Sequence, residues 1–242
     1  MAGILRGTIG INNGVPGVPD GEVSLSDNAW GFGANVGLLF EPLKSTRVGV
    51  TWLSAVRLDF RATPTWTGLG PGIERALSRT GMTAPNRVMV GVHQELSPQW
   101  SLMGDFGWES WSQFGRTEVS VDTANPVSLT KTVAYQDTWH LALGAQSHLS
   151  EPWTFSAGFA YDSSMMADSA RTVLTPTGQQ FRYALGAQWA VSKSVTLGVH
   201  DTFLWGGDLP VSQERGSLAG RVEGRYAGTV VNAFAMNVRW TF

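Results

Sequence analysis

The chain has 242 residues, 43% hydrophobic and only 15% charged, with 29 glycines, 11 tryptophans and a formal net charge of −2. That balance carries no electrostatic footprint for nucleic acid, and the absence of cysteine excludes disulfides and thiolate metal sites. No run approaches the ~18 consecutive apolar residues of a membrane helix, so helical spans are excluded too.

The apolar residues are dispersed, which is the pattern of alternating strands. Tryptophan favours membrane–water interfaces, where barrels carry girdles of it. The first residues, Met1-Ala-Gly-Ile-Leu-Arg-Gly-Thr-Ile9, show no basic region, no long apolar stretch and no cleavage site. An exported protein needs such a signal, so the expectation is a chain truncated at its amino end. Met1 to Asn12 reads as the end of a strand, followed by a Pro- and Gly-rich loop, Gly14–Gly21.

Glu22 to Phe40 reads as one strand, with Trp30, Phe32, Ala34, Val36, Leu38 and Phe40 on one face and Gly31, Gly33, Asn35 and Gly37 on the other. Glu41–Ser45 is a tight turn. Thr46 to Arg61 returns with Val48, Val50, Trp52, Val56, Leu58 and Phe60 outward and Arg47, Thr51, Arg57, Asp59 and Arg61 inward. A long connection runs from Ala62 to about Pro85, and its centre, Ile73–Arg79, could form a short helix.

Alternation resumes at Arg87–Leu96, with Val88, Val90 and Val92 outward, and at Trp100 to about Ser120 beyond the Ser97–Gln99 turn. After a polar excursion around Asp122–Pro126, the strand Val133–His148 sets Trp139, Leu141, Leu143 and Ala145 against His140, Ala142, Gly144, Gln146 and His148. The turn Ser150–Pro152 leads into Trp153–Asp162. A loop, Ser163–Gly178, leads to Phe181–Ala190, and Ser192–Ser194 turns into Val195–Trp205. Asp201 falls on the outward parity there, so that strand end is bulged or above the membrane. A last long loop, Gly206 to about Arg225, precedes the closing strand.

In that strand Phe234, Met236, Val238, Trp240 and Phe242 are apolar, and the residues between them are small or polar. Connections alternate throughout between short turn and long loop, the outer-membrane rule of short periplasmic turns and longer external loops. A soluble sandwich could bury the same greasy faces on a core, but it has no reason to alternate its connections so regularly. The class expected is all-β: an antiparallel transmembrane β-barrel in the outer membrane of a Gram-negative bacterium, with residues 1–242 a single domain.

Several blocks carry a family resemblance: Asn28–Pro42 with Thr46–Phe60, Gln99–Phe114, Asp137–Ala145, Trp153–Ser164 and the closing strand. In order and loop pattern they resemble FadL-type long-chain fatty acid transporters. The resemblance implies a 14-stranded barrel plugged by an amino-terminal hatch, of which about 9–10 strands stand here. The signal, the hatch, the first strands and the kinked strand of the lateral exit are missing. It implies uptake of long-chain fatty acids or other hydrophobic compounds, aliphatic or aromatic hydrocarbons included. Capture would occur at an external groove, followed by a lumenal site and exit through the wall, with no cofactor and no catalysis. Membrane lipid, lipopolysaccharide and the barrel assembly machinery are the implied partners.

Candidate residues follow from parity. Arg57, Arg61 and Arg182 face inward with His140, and an arginine there could hold a carboxylate by a charge-assisted hydrogen bond. The alternative is that these arginines pair with Asp59, Asp105, Glu109 or Asp162 and merely hold the lumen together. Leu69, Ile73, Leu77, Met82, Met165 and Met166, in the long loops, are candidates for a greasy docking groove, or pack on one another. His93, His140, His148 and His200 lack ligand spacing, and no Gly-x-Ser-x-Gly elbow is present. A barrel hydrolase of protease or phospholipase type, which would need a Ser/His/Asp or Asp/His cluster, and a structural barrel without transport are the alternatives.

Overall fold

The computed structural model describes residues 2–11, 21–63, 65–68, 77–114, 116–122, 127–128, 131–132, 135–173, 175–214 and 220–241. These fold into two compact units. One comprises Met1–Ala34, Ser54–Asn86 and Trp111–Val133; the other Asn35–Leu53, Arg87–Ser110 and Ala134–Phe242.

The second unit is one antiparallel sheet. Its strands are β3 (Asn35–Leu43), β4 (Thr46–Leu53), β8 (Arg87–Ser97), β9 (Trp100–Glu109), β13 (Thr138–Ser150), β14 (Trp153–Asp162), β15 (Gln180–Ala190), β16 (Val195–Glu214) and β17 (Arg221–Trp240). They pair in the order β17-β16-β15-β14-β13-β9-β8-β4-β3, so β17 and β3 are the edges. Register keeps the two faces separate across every strand. Leu38, Val50, Val90, Phe106, Leu141, Tyr161, Phe181 and Trp205 form one continuous cross-strand row, all apolar. Leu143 at 61%, Leu185 at 67% and Met236 at 72% are left uncovered on that face. An apolar face of this extent marks a membrane surface.

Two aromatic belts bound it. Trp153 stacks on Trp189 at 5.7 Å near the short turns. At the other end Phe106 stacks on Trp139 at 5.5 Å and Phe181 on Trp205 at 5.7 Å. The stretch Phe181–Trp189 has the length of about nine residues with which a tilted strand crosses an outer-membrane apolar band. The expected all-β barrel wall is therefore what the chain builds, in part, with short turns at Lys44-Ser45, Pro98-Gln99, Glu151-Pro152 and 191–194.

The first unit is built from the segment that precedes β3 and from two that lie between strands of that sheet in sequence. β1 (Ala2–Ile11), β2 (Gly21–Trp30) and β6 (Thr65–Thr67) form a three-stranded sheet in the order β1-β2-β6. β5 (Val56–Ala62), β7 (Leu77–Ala84), β10 (Arg116–Asp122) and β11 (Val127–Ser128) form another in the order β11-β10-β7-β5, with β12 (Lys131–Thr132) on β10.

This corrects the expectation of continuous strands. Glu22–Phe40 divides into β2 and β3, Thr46–Arg61 into β4 and β5, and Trp100–Ser120 into β9 and β10, which a short 3-10 turn (Trp111–Gln113) precedes. The physical cause lies in the breaks. A Cβ on Gly31 would stand 2.6 Å from the Arg57 carbonyl oxygen, so only glycine admits this approach. The interrupted ladder is satisfied locally: Ala34 N–H donates to Ser54 Oγ at 2.8 Å, Ser54 N–H to Ala34 O at 2.9 Å, and Ala55 N–H to Asn86 Oδ1 at 2.8 Å.

The split moves three residues from lipid to core. Val56, Leu58 and Phe60 were expected to face outward on one strand with Trp52. Leu58 and Phe60 instead pack with Ala29 at 4%, 3% and 5% exposure, and Val56 lies against them. The Ala62–Pro85 connection likewise contains β6 and β7. A helix over Ile73–Arg79 is overturned at its end, where Leu77–Arg79 opens β7; residues 73–76 lie outside the described residues.

The last long loop is also corrected. β16 and β17 continue as a hairpin to Glu214 and from Arg221, with register shifts between Trp205 and Leu209, where Gly207 adopts φ 67°. The segment after β14 packs on this extension: Val173 O accepts from Tyr226 O–H at 2.8 Å, its N–H donates to Gln213 Oε1 at 3.3 Å, and one buried side chain binds more of it. Arg171, 2% exposed, donates from Nη1 to Pro210 O at 2.8 Å and from Nε to Thr177 O at 2.9 Å, and its Nη2 meets Asp168 Oδ1 at 2.7 Å. Leu209, Val211 and Met166 are buried in the same extension and segment. Arg171→Ala should strand two carbonyls and an aspartate, loosening this packing by ~1–3 kcal/mol. Limited proteolysis of refolded protein should then cut faster within residues 163–179, while the compact gel band that shifts on boiling persists.

Candidate functional site

The polar face of the nine-stranded sheet carries small residues and a few charges. Gly91, Gly107, Ala142, Gly144, Gly158, Ala160, Ala184 and Gly186 leave room above the backbone, and charged residues stand in pairs around them. Arg47 bonds Glu41 at 3.0 Å, and Arg87 bonds Glu109 at 3.0 Å.

The densest group spans four neighbouring strands. Register sets His140 of β13 opposite Asp162 of β14, with Asp105 of β9 opposite Ala142, the next residue of this face. Arg182 of β15 stands opposite Ala160. His140 Nε2 lies 2.9 Å from Asp105 Oδ1, and its Nδ1 2.7 Å from Asp162 Oδ1. An imidazolium at this position donates to both carboxylates. Arg182 Nη2 donates to the other Asp162 oxygen at 2.5 Å. The guanidinium is not exhausted: its Nε is occluded and has no hydrogen-bond partner. A cavity of about 370 Å³ opens beside it, lined by Met103, Asp105, His140, Ala142, Ala184 and Thr202 among others.

The candidates named from parity scatter accordingly. His140 and Arg182 come together. Arg57 and Arg61 stand on β5, in the first unit. Arg57 Nε holds Asp59 at 2.8 Å in an exposed pair, and Arg61 is exposed with its backbone N–H on Asp27 Oδ2 at 2.6 Å. The expectation put them on one unbroken strand with Trp52; the break at Ser54-Ala55 puts them in a different sheet from Arg182. Met82 stands in β7 opposite Leu58. Met165 accepts from Gln136 N–H through its carbonyl, and Met166 is 1% exposed and offers no surface. Leu77 enters β7, while Leu69, Ile73 and Phe242 lie outside the described residues. Of the closing residues, Phe234, Met236, Val238 and Trp240 stand exposed on the apolar face of β17.

Asp105 and Asp162 had been weighed only as partners that neutralise arginine, yet they hold both candidates in place. Equal steps back from the Glu151-Pro152 turn would set His140 opposite Ser163; a register shift between Ser147 and Ser150 brings Asp162 there instead, so this contact is not legible from turn counting. His140 with Asp105 and Asp162 is an Asp/His cluster, whereas two other histidines have neutral partners. His148 Nδ1 meets Thr154 Oγ1 at 2.9 Å, and His200 Nε2 meets Asn237 at 3.2 Å. Among the described residues no histidine, aspartate and glutamate cluster could hold a metal ion.

Comparison with known proteins is consistent with this geometry. Residues 7–242 match the family model described as outer membrane protein transport protein (OMPP1/FadL/TodX). The long-chain fatty acid transport protein of Escherichia coli O6:H1 is 24% identical over 225 residues, 86% of this chain and 50% of that protein. The chain thus spans about half the length of the curated relatives it matches. Among solved structures, a Pseudomonas aeruginosa FadL homologue superposes with a TM-score of 0.72 at 17% identity, covering 99% of this chain and 61% of that one. The Ralstonia pickettii toluene transporter TbuX gives 0.54 at 19% identity, over 97% and 55%.

Proposed function

This chain belongs to the OMPP1/FadL/TodX family of outer-membrane proteins, and from that premise we propose that it forms the carboxy-terminal wall of an uptake channel for hydrophobic molecules. Long-chain fatty acids are the preferred cargo, because the relative named above is a fatty acid transport protein and because this sheet places a cation beside an open cavity. Aromatic hydrocarbons, the cargo type of the toluene transporter, would use the cavity without the cation. Lipid and lipopolysaccharide border the apolar face, and the barrel assembly machinery receives the closing strand.

The observation that carries the reading is Arg182. Asp162 fixes the guanidinium through Nη2, and the side chain, 39% exposed, lines the cavity with its remaining terminal N–H donors, which suit a charge-assisted bond to a ligand carboxylate. The small side chains of Ala142, Gly144 and Ala184 leave a path for the hydrocarbon tail. His140, held between two carboxylates, keeps Asp162 from rotating away from Arg182.

A fluorescent long-chain fatty acid titrated into the chain refolded in detergent micelles tests this. Arg182→Gln should weaken binding about tenfold, the loss of one charged hydrogen bond. The matching fatty alcohol should bind both proteins at this site alike. Equal affinity of the acid for the two proteins would remove Arg182 from the ligand site.

A further inference from the structure

The apolar face contains one carboxylate, and the described sheet gives it no cation. Asp201 lies midway along β16 between Leu197, paired with Trp189, and Trp205, paired with Phe181. It therefore stands at mid-height between the two aromatic belts. The sequence left two ways to excuse it, a bulge or a place above the membrane. Neither holds: the register runs unbroken through Asp201, opposite Leu185 and Phe234, and shifts only beyond Trp205. Its one companion is Asn232, whose amide donates to both carboxylate oxygens at 3.1 and 3.2 Å. An ionisable residue at membrane depth is costly and marks function by default.

Asp201 also borders a cavity of about 560 Å³ on this face. The floor is Ala145, Ala157 and Ala187, and Phe155, Leu185 and Phe234 stand around it. At the far end is Ser147, 5% exposed, whose hydroxyl has no partner. Ser147 on β13 and Asp201 on β16 are three strand spacings apart, about 14 Å. The trough is thus elongated, greasy along its length and polar at both ends.

We propose that this trough is a membrane-facing binding site for a long-chain molecule that ends in an uncharged hydroxyl donor, a fatty alcohol or a protonated fatty acid. The chemistry selects the occupant. Asp201 is an acceptor with spare lone pairs, so it takes a donor and repels a carboxylate anion. A phospholipid headgroup belongs at the interface, not at mid-height. Among the described residues at this depth a second copy offers no cation on this face: Arg47, Arg87, Arg182 and Arg239 lie on the polar-face parity, and Arg221 and Arg225 lie in the extension beyond Trp205. This inference does not rest on the lumenal site, whose arginine selects the opposite charge state.

The test is photolabelling in dioleoylphosphatidylcholine vesicles, with hexadecanol carrying a mid-chain diazirine and a hexadecane carrying the same group. The alcohol should label peptides from β14, β15 and β16 at least fivefold above the hydrocarbon. Asp201→Leu should bring it down to the hydrocarbon level. Ala157→Trp, which fills the floor and keeps Asp201, should do the same. Arg182→Gln should leave labelling unchanged, separating this site from the lumenal one. The heat-shifted gel band checks that each variant is folded, and Asp201→Leu, which removes a charge from the lipid face, should refold at least as well as the parent. Equal labelling by both probes, or labelling indifferent to Asp201→Leu and Ala157→Trp, overturns the proposal. So do adducts that join two chains in proportion to protein concentration.

Discussion

Leu143→Arg should cost the folded, membrane-inserted protein ~2–4 kcal/mol, while Ala142→Arg, one residue away, should cost less than ~1 kcal/mol. Leu143 lies midway along β13 between Trp139, of the outer belt, and Ser147, which pairs with Trp100. It is 61% uncovered and pairs with Gly104 and Phe159, so nothing in the sheet would receive a guanidinium there. A new arginine at that depth must leave the hydrocarbon or hold water within it. Ala142 faces the other way, beside Asp105, where an arginine meets a carboxylate and solvent. Urea titration of folding into phosphatidylcholine vesicles measures both. Similar costs at the two positions would mean that the polar and apolar faces have been assigned to the wrong environments.

That sidedness was legible in the sequence because strand parity is local. Each residue's face follows from its neighbours two steps away, and the short turns fix the register of each hairpin. The pairing of His140 with Asp162 does not follow from that counting, because a register shift between Ser147 and Ser150 moves β13 by one residue against β14. What the sequence did not disclose is where a run of parity changes sheets. Trp52 and Val56 share a parity in one alternating stretch, yet Trp52 pairs within the nine-stranded sheet and Val56 packs in the first unit. The break rests on a serine hydroxyl, an asparagine amide and glycines that approach distant backbone. Those partners lie some 20 to 31 residues apart in sequence. Arg57 and Arg61 stand in a different sheet from Arg182 for this reason. A buried arginine that binds backbone carbonyls, as Arg171 does, has no sequence period. Asp201 keeps the outward parity that the sequence shows, on an unbroken register.

The break itself makes the larger prediction. If Val56, Leu58 and Phe60 met lipid, shortening Phe60 would exchange one apolar contact with hydrocarbon for another and change little. They form a core instead. Phe60 is 3% exposed and packs with Leu58 and Ala29, and a Cβ on Gly3 would stand 3.2 Å from its ring. Phe60→Ala should therefore cost ~3–5 kcal/mol, the transfer term together with the cavity left behind. The first unit has few other buried apolar side chains among the described residues, so the loss falls on a small core. Hydrogen exchange should accelerate across Val56–Ala62 and Leu77–Ala84, which pair with each other, and remain unchanged in β13 to β16. Phe159→Ala, on the membrane face of β14, is the matched control and should leave exchange in both regions as it was. Unaltered exchange in β5 and β7 after Phe60→Ala would mean that this strand rests on no core and would return it to the lipid-facing wall.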